Sequence, residues 1–307
     1  MTAIDSVLLI AFGGPAKRED IKPFLEIVSA GRRIPSERIE EVARHYEVMG
    51  GRSPLSELTM RQAEGLRQAL KREGIATPVY VGMRNWHPFL HETLAEMRDR
   101  GHRRALGIIL SSFQTEASWE RYVADVAAAR EKVGAGAPEV VYAPPWTEHP
   151  LFIDAMVARA ADVLDEVPSR SRAGALLIFT AHSVPVAMAS GSPYARQLDA
   201  AAFVIAGRLA HPRWQIAYQS RSGSRRDPWL EPDVCDVLRG VKGQGIADVV
   251  IVPIGFVCDH VEVLYDLDVD ARAVAAEAGL GFHRAETAND HPAFIAMLAD
   301  LVKRESQ

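Results

Sequence analysis

Two segments of this 307-residue chain gather side chains that could bind a metal or move protons. In the first, Phe179-Thr-Ala-His182-Ser-Val-Pro185, an apolar run delivers a histidine to a turn, and Ser183 and Pro185 disfavour an immediate helix. Imidazole titrates near neutrality, so a histidine placed there can accept a proton or ligate a metal. A hydrogen-bonded structural histidine at a turn has the same wording. The second segment runs from Pro253 to Asp270. A buried-type strand ends at Pro253, Gly255 turns the chain, and a helix with acidic first turns follows. Glu262, Asp266 and Asp270 fall at i, i+4 and i+8 and share one helical face, with Asp259 near the same row. Each like-charged pair at that spacing costs roughly a few tenths of a kcal/mol. No Lys or Arg interleaves the row, so it is unfavourable unless something binds it, and carboxylates are hard oxygen ligands for a divalent metal. The helix dipole also rewards acids near a helix start, which accounts for Asp259 and Glu262 but poorly for Asp270.

Three further segments carry polar or aromatic groups at strand ends. Tyr218 to Asp233 is a polar loop with Arg221, Arg225, Arg226 and Trp229, suited to an anionic ligand or simply to solvent. Gly82 to Phe89 offers Trp86 and Phe89 for stacking on a flat ligand, or for core packing. Tyr46 to Leu55 contains Gly50-Gly51 and then Ser53-Pro54, a turn feeding a capped helix; it is only faintly like a phosphate cradle and lacks the lysine of one. His45, His91, His102, His149, His211, His283 and His291 show no metal-ligand spacing and read as surface or packing residues.

The elements that must position these groups alternate. Strands are predicted at 7–12, 79–82, 105–110 and 139–142, with helices at 19–29, 36–48, 53–73, 88–100 and 115–133. The second half repeats the rhythm, with strands at 175–179, 214–219 and 249–252 and helices at 150–166, 194–209, 232–242, 262–278 and 292–303. Alternation of this kind implies an α/β fold of two doubly wound Rossmann-like domains with parallel sheets. Pro144-Pro145 marks a boundary: residues 1–145, joined by a C-terminal helix near 289–307, form one domain and 146–288 the other. Ligands of such sheets sit beyond the carboxyl ends of the strands, where the motifs above lie.

Composition narrows the class. Hydrophobic residues at 48% and charged residues at 24% describe a globular protein with ample core. A net charge of −5 argues against a general nucleic-acid binder. Two cysteines cannot supply a four-thiolate zinc or iron–sulfur site, and so few thiols fit a reducing cytosol. Neither a signal peptide nor a transmembrane run is expected.

Taken in order, Phe12–Pro15, Tyr46–Leu55, Gly82–Pro88, Thr180–Pro185, Tyr218–Asp233 and Pro253–Asp268 resemble the ferrochelatase family over nearly the whole chain. The Thr-Ala-His-Ser-Val-Pro and Gly-Phe-Val-Cys-Asp-His-Val-Glu segments carry most of it, and the Arg-Asn-Trp-His-Pro and Gln-Ser-Arg-Ser-Gly wording looks most like the actinobacterial branch. The resemblance implies the chelatase fold, with a porphyrin in the cleft between two domains. It implies insertion of ferrous iron into that porphyrin during haem biosynthesis, with coproporphyrin III favoured over protoporphyrin IX. His182 and Glu262 would be catalytic, facing each other across the macrocycle, and they would form the metal path with Asp266 and Asp270. Phe12, Arg52, Arg84, Trp86, Ser183, Arg221, Trp229 and His260 would bind the porphyrin; Arg32, Arg33, Arg52, Arg84 and Arg221 are candidates for its propionates. Iron would be substrate rather than cofactor, with no iron–sulfur cluster. The expected setting is cytoplasmic, without nucleic acid or membrane anchor, and with transient contact to neighbouring haem-pathway enzymes. Phe12 stands where some members carry a tyrosine, so no phenol can ligate iron there. Ser29 and Ala30 replace basic residues before Gly31, and 111–118 departs from the family wording. A cobalt or nickel chelatase, or a non-catalytic tetrapyrrole binder, would share much of this pattern.

Overall fold

The computed structural model describes residues 3–31, 35–222 and 227–305. The chain divides into two compact units, one of Met1–Ser111, Ala117–Pro144 and Phe294–Gln307, the other of Ser112–Glu116 and Pro145–Ala293.

The first unit is built on a parallel sheet in the order β2-β1-β3-β4. Its strands are β1 (Ser6–Ala11), β2 (Val79–Met83), β3 (Arg104–Ile109) and β4 (Glu139–Tyr142). Val7 to Ile10 is fully buried because helices cover both faces of a parallel sheet, so the central strand reads as a continuous apolar run. Those helices are α1 (Ile21–Ser29), α2 (Ser36–Val48), α3 (Leu55–Arg72), α4 (Leu90–Asp99) and α5 (Arg121–Val133). The predicted cap at Ser53 lies one position before the Pro54 N-cap, where its Oγ accepts from the Leu55 N–H at 3.3 Å. The expected helix 115–133 opens as a π-helical turn over Glu116–Glu120 before α5 begins.

The second unit repeats the plan in the order β6-β5-β7-β8, again all parallel. It contains α6 (Pro150–Glu166), the short α7 (Ser169–Arg172), β5 (Leu176–His182), α8 (Val186–Ser190), α9 (Tyr194–Arg208), β6 (Trp214–Gln219), α10 (Val234–Gly240) and β7 (Asp248–Val252). One helical turn, α11 (Val261–Val263), then leads into a π-helix over Leu264–Ala271, followed by α12 (Arg272–Ala278) and β8 (Gly281–Arg284). The last helix, α13 (Pro292–Glu305), returns its Phe294–Glu305 portion to the first unit, where Ile295 packs on Gly65 of α3.

Three differences from the sequence expectation bear on the site. β5 runs three residues further than 175–179, so His182 is the last residue of the strand, paired in register with Gln219. The expected helix 262–278 is a helix only in pieces, because Leu264–Ala271 bonds i to i+5. β8 was not expected: Gly-Phe-His-Arg is half-buried at a sheet edge and carries no apolar alternation to betray it.

Candidate active site

In the second sheet β5 and β7 lie side by side at the centre, and the chain leaves them toward opposite edges. That switch point opens a crevice at the carboxyl ends of the two strands, the usual ligand position in an open α/β sheet. His182 ends β5. The turn after β7 is pressed against β5 just before it. The Gly255 N–H donates to the Thr180 carbonyl at 3.0 Å, and a Cβ on Gly255 would lie 2.5 Å from the Ala181 Cα. Only glycine allows that approach, which brings Phe256, His260 and Glu262 to the end of β5.

The geometry at His182 assigns its tautomer. Nδ1 makes a short hydrogen bond with the Ser183 carbonyl, which can only accept, so Nδ1 carries the proton. In the neutral ring Nε2 therefore presents a lone pair. It faces Glu262 Oε1 at 3.9 Å. Tyr194 Oη donates to the His182 carbonyl at 2.8 Å and pins the strand end. The ring of Phe256 lies near both histidines, 6.4 Å from His182 and 4.8 Å edge-on from His260. His260 is the N-cap of α11, its Nδ1 accepting from the Val263 N–H at 3.3 Å. Burial holds His260 below the usual histidine pKa against the opposing pull of Glu262 and Asp259.

A 3.9 Å gap between Nε2 and Oε1 is too long for a direct hydrogen bond. It is close to the sum of two metal–ligand bonds of about 2.1 Å each. His182 Nε2 and Glu262 Oε1 thus stand within reach of one shared ion at the end of β5.

Asp266 is half-buried and accepts a short hydrogen bond from Ser220 Oγ, while Asp270 is exposed. In an α-helix a four-residue step overshoots one turn by about 40°. Asp266 and Asp270 both lie within the π-helix, and Glu262 lies in the single helical turn before it. Asp259 does not belong to the row. It is buried and bound to Arg284 and Asn289. Among the described residues no group of three or more His, Cys, Asp or Glu forms a ready metal cage.

A ferrochelatase family model matches residues 4–306. The chain belongs to the ferrochelatase family. The coproporphyrin III ferrochelatase of Mycobacterium avium (strain 104) is 44% identical over 301 residues, covering 97% of this chain and 87% of that protein. Its counterpart from Nocardia farcinica (strain IFM 10152) is 41% identical over 309 residues, covering 98% and 88%. The fold is shared with the sirohydrochlorin chelatase SirB of Bacillus subtilis subspecies spizizenii in complex with cobalt, at a TM-score of 0.59 and 9% identity, covering 99% of this chain and 95% of that one.

The other expected porphyrin contacts of this ferrochelatase-family chain fall into two groups. On the second unit, Ser183 is buried and tied down, its N–H donating to the Gln219 carbonyl at 2.7 Å and its Oγ to the Leu230 carbonyl at 2.9 Å. Trp229 is half-buried, with an indole N–H that has no partner among the described residues, and it pairs through its backbone with Pro185. Arg221 is exposed and donates to the Asp227 carbonyl at 3.1 Å. Arg225 and Arg226 lie outside the described residues, as do Arg32 and Arg33. On the first unit, Phe12, Arg84 and Trp86 gather at the carboxyl ends of β1 and β2. Phe12 is 37% exposed and edge-on to Phe24. Trp86 packs edge-on to Phe24 at 6.1 Å and helps close a small core. The Arg84 guanidinium is engaged by Asp125 and lies 4.3 Å over the Tyr122 ring. Arg52 is exposed, 3.9 Å from Glu57. Tyr194, Ser220, Phe256 and Arg284 were not singled out from sequence. Only Phe256 had a signal there, as an aromatic residue inside the glycine turn; the others are read from contacts far apart in the chain.

Proposed function

We propose that this metal chelatase inserts ferrous iron into coproporphyrin III, a step of haem synthesis. The family match supports metal insertion into a porphyrin, and the names of the relatives support coproporphyrin III as the ring. The observation that carries the mechanism is the His182 Nε2 lone pair, held by the Nδ1 bond and set 3.9 Å from Glu262 Oε1.

Insertion exchanges two pyrrole N–H protons for one Fe2+. Neutral His182 takes one proton at Nε2, and the resulting imidazolium is stabilised by the Glu262 carboxylate beside it. Glu262 takes the second proton or passes it to Asp266, which continues the row. The same carboxylates replace water on the incoming ion, since hard oxygen ligands suit it. Binding the ring in a distorted shape exposes its nitrogens and favours the transition state over the flat ground state. Iron is substrate in this scheme, no iron–sulfur cofactor is needed, and two cysteines could not supply the four thiolates of an all-cysteine cluster. Neither Cys235 nor the buried Cys258 is joined in a disulfide, and so few thiols fit a reducing cytoplasmic setting. No helix among the described residues is long and apolar enough to cross a membrane. Transient handover to neighbouring pathway enzymes belongs to the same proposal.

The test is anaerobic incubation with Fe2+ and either coproporphyrin III or protoporphyrin IX, followed by absorbance, for wild type, His182→Ala and Glu262→Gln. Rapid metallation of coproporphyrin III, lost in both variants, is expected. Tight porphyrin binding without metallation would overturn the proposal. Preference for protoporphyrin IX would overturn its choice of ring.

A further inference from the structure

Glu262 is flanked in sequence by two carboxylates outside the acidic row, Asp259 before it and Asp268 after it. One guanidinium holds both. Arg284 Nη1 donates to Asp259 Oδ1 at 3.0 Å, and Arg284 Nε donates to Asp268 Oδ1 at 2.8 Å. Arg284 is the last residue of the edge strand β8, and its side chain is only 11% exposed. Its Nη1 also donates to the Ala285 carbonyl at 3.1 Å. Asp268 lies inside the π-helix and receives a second, more exposed arginine, Arg272, at 3.3 Å.

Asp259 has its own support. Asn289 Nδ2 donates to Asp259 Oδ2 at 2.9 Å, and Asn289 Oδ1 accepts from the Asp259 N–H at 2.9 Å. Thr287 Oγ1 donates to the same Asn289 Oδ1, and the Asn289 N–H donates to the Val257 carbonyl at 2.8 Å. Asn289 adopts a φ of 44°, a left-handed conformation that asparagine tolerates better than most residues. The stretch after β8 is thus stitched to the turn that carries His260 and Glu262.

An i to i+5 helix is rare, because the same residues could close α-helical bonds. Relaxing Leu264–Ala271 to an α-helix would rotate every residue beyond it and carry Asp268 away from Arg284. The fork anchors one end of this segment at Asp259 and its middle at Asp268, on either side of Glu262. We propose that Arg284 is a positioning residue for metal insertion, fixing through Asp259 and Asp268 the helical phase at which Glu262 and Asp266 meet the ion. It touches neither porphyrin nor metal. The proposal rests on the chelatase reading for its kinetic readout.

Two variants of the full chain test it. Arg284→Lys keeps the charge but loses the fork, and Asp268→Asn removes one arm while leaving Arg284 on Asp259. Each is assayed for kcat, for KM toward Fe2+, for coproporphyrin III affinity by fluorescence, and for amide hydrogen exchange. The expected result is faster exchange confined to about residues 259–271, unchanged porphyrin affinity, and kcat/KM for Fe2+ reduced by about tenfold or more, a loss of the size misplacement produces. Wild-type kcat and KM in both variants, whatever happens to melting temperature, would overturn it. If wild type binds coproporphyrin III without metallating it, the chelatase reading fails. Exchange then decides the clamp alone: unaltered protection of the π-helix in Arg284→Lys rejects it, and selective loss of protection upholds it.

Discussion

A neutral imidazole serves as a base only when its lone pair is free and aimed at the proton. At His182 both conditions follow from one contact, since the Ser183 carbonyl claims Nδ1. Glu262 is half-exposed, and its carboxylate stands beside the ring nitrogen that would take the proton. Glu262→Gln keeps the shape and removes both the charge and the proton acceptor. Its metallation rate is expected to fall by about 10²- to 10⁴-fold, the range for losing a general acid–base group, with porphyrin affinity retained. Stopped-flow absorbance checks this. His260 has a folded pKa below its unfolded value of about 6.5, so the unfolded chain binds its proton first as pH falls. The stability that neutral His260 contributes is present above about pH 6.5 and is lost as pH drops from there toward the folded pKa. His260→Asn keeps an N-cap acceptor and removes the titration, so its melting temperature should fall less between pH 7 and pH 5 than that of wild type. Burial pushes the Cys235 thiol up to about 12, so little thiolate exists at pH 8. Alkylation there by iodoacetamide should be slow in the native protein and fast in denaturant, as mass spectrometry would show.

At the scale of elements, the approach of the β7 turn to β5 sets the site. Gly255 has no room for a Cβ against backbone atoms of β5. Gly255→Ala is expected to destabilise the protein by about 1–3 kcal/mol through overpacking and to displace the segment carrying Glu262. Metallation should drop by about tenfold or more even where the variant remains folded, a loss typical of a small misplacement. Denaturant melts paired with single-turnover assays separate the two effects. The π-helix is anchored from its inner face as well, by the fully buried Leu267 packed against Val263, Ala271 and Ala275. Leu267→Ala should cost about 2–5 kcal/mol, readable as a shift in urea midpoint.

At the scale of the whole molecule, the chain is two copies of one topological plan, β2-β1-β3-β4 and β6-β5-β7-β8. The last helix crosses back. Phe294, Ile295, Met297, Leu298, Leu301 and Val302 of α13 are buried, and Lys303 pairs with Glu73, the C-cap of α3, at 2.7 Å. Ending the chain at residue 290 would strip that cover from the first unit, although His182 and Glu262 both precede the cut. Such a truncation is expected to be insoluble or to expose apolar surface that binds a hydrophobic dye. Soluble protein with wild-type helicity by circular dichroism would contradict this.

The amino-acid sequence by itself determined the alternation of apolar runs and helical stretches, hence the parallel sheets, because strand and helix periods are local. It also placed a histidine at a strand end and an acidic row after a glycine turn, and it carried the family likeness. Only the tertiary structure decided how those pieces meet. Residues 182 and 262 are 80 positions apart, and their 3.9 Å separation comes from the fit of Gly255 against β5. Periodicity also could not show that the helix after Glu262 is π-helical, since the acids at steps of four suit either winding. The arginine that bonds Asp259 and Asp268 comes from β8, a half-buried strand too short and too polar to be read. Local wording fixes which groups are present; long-range packing and buried charge pairing fix their distances, tautomers and helical phase.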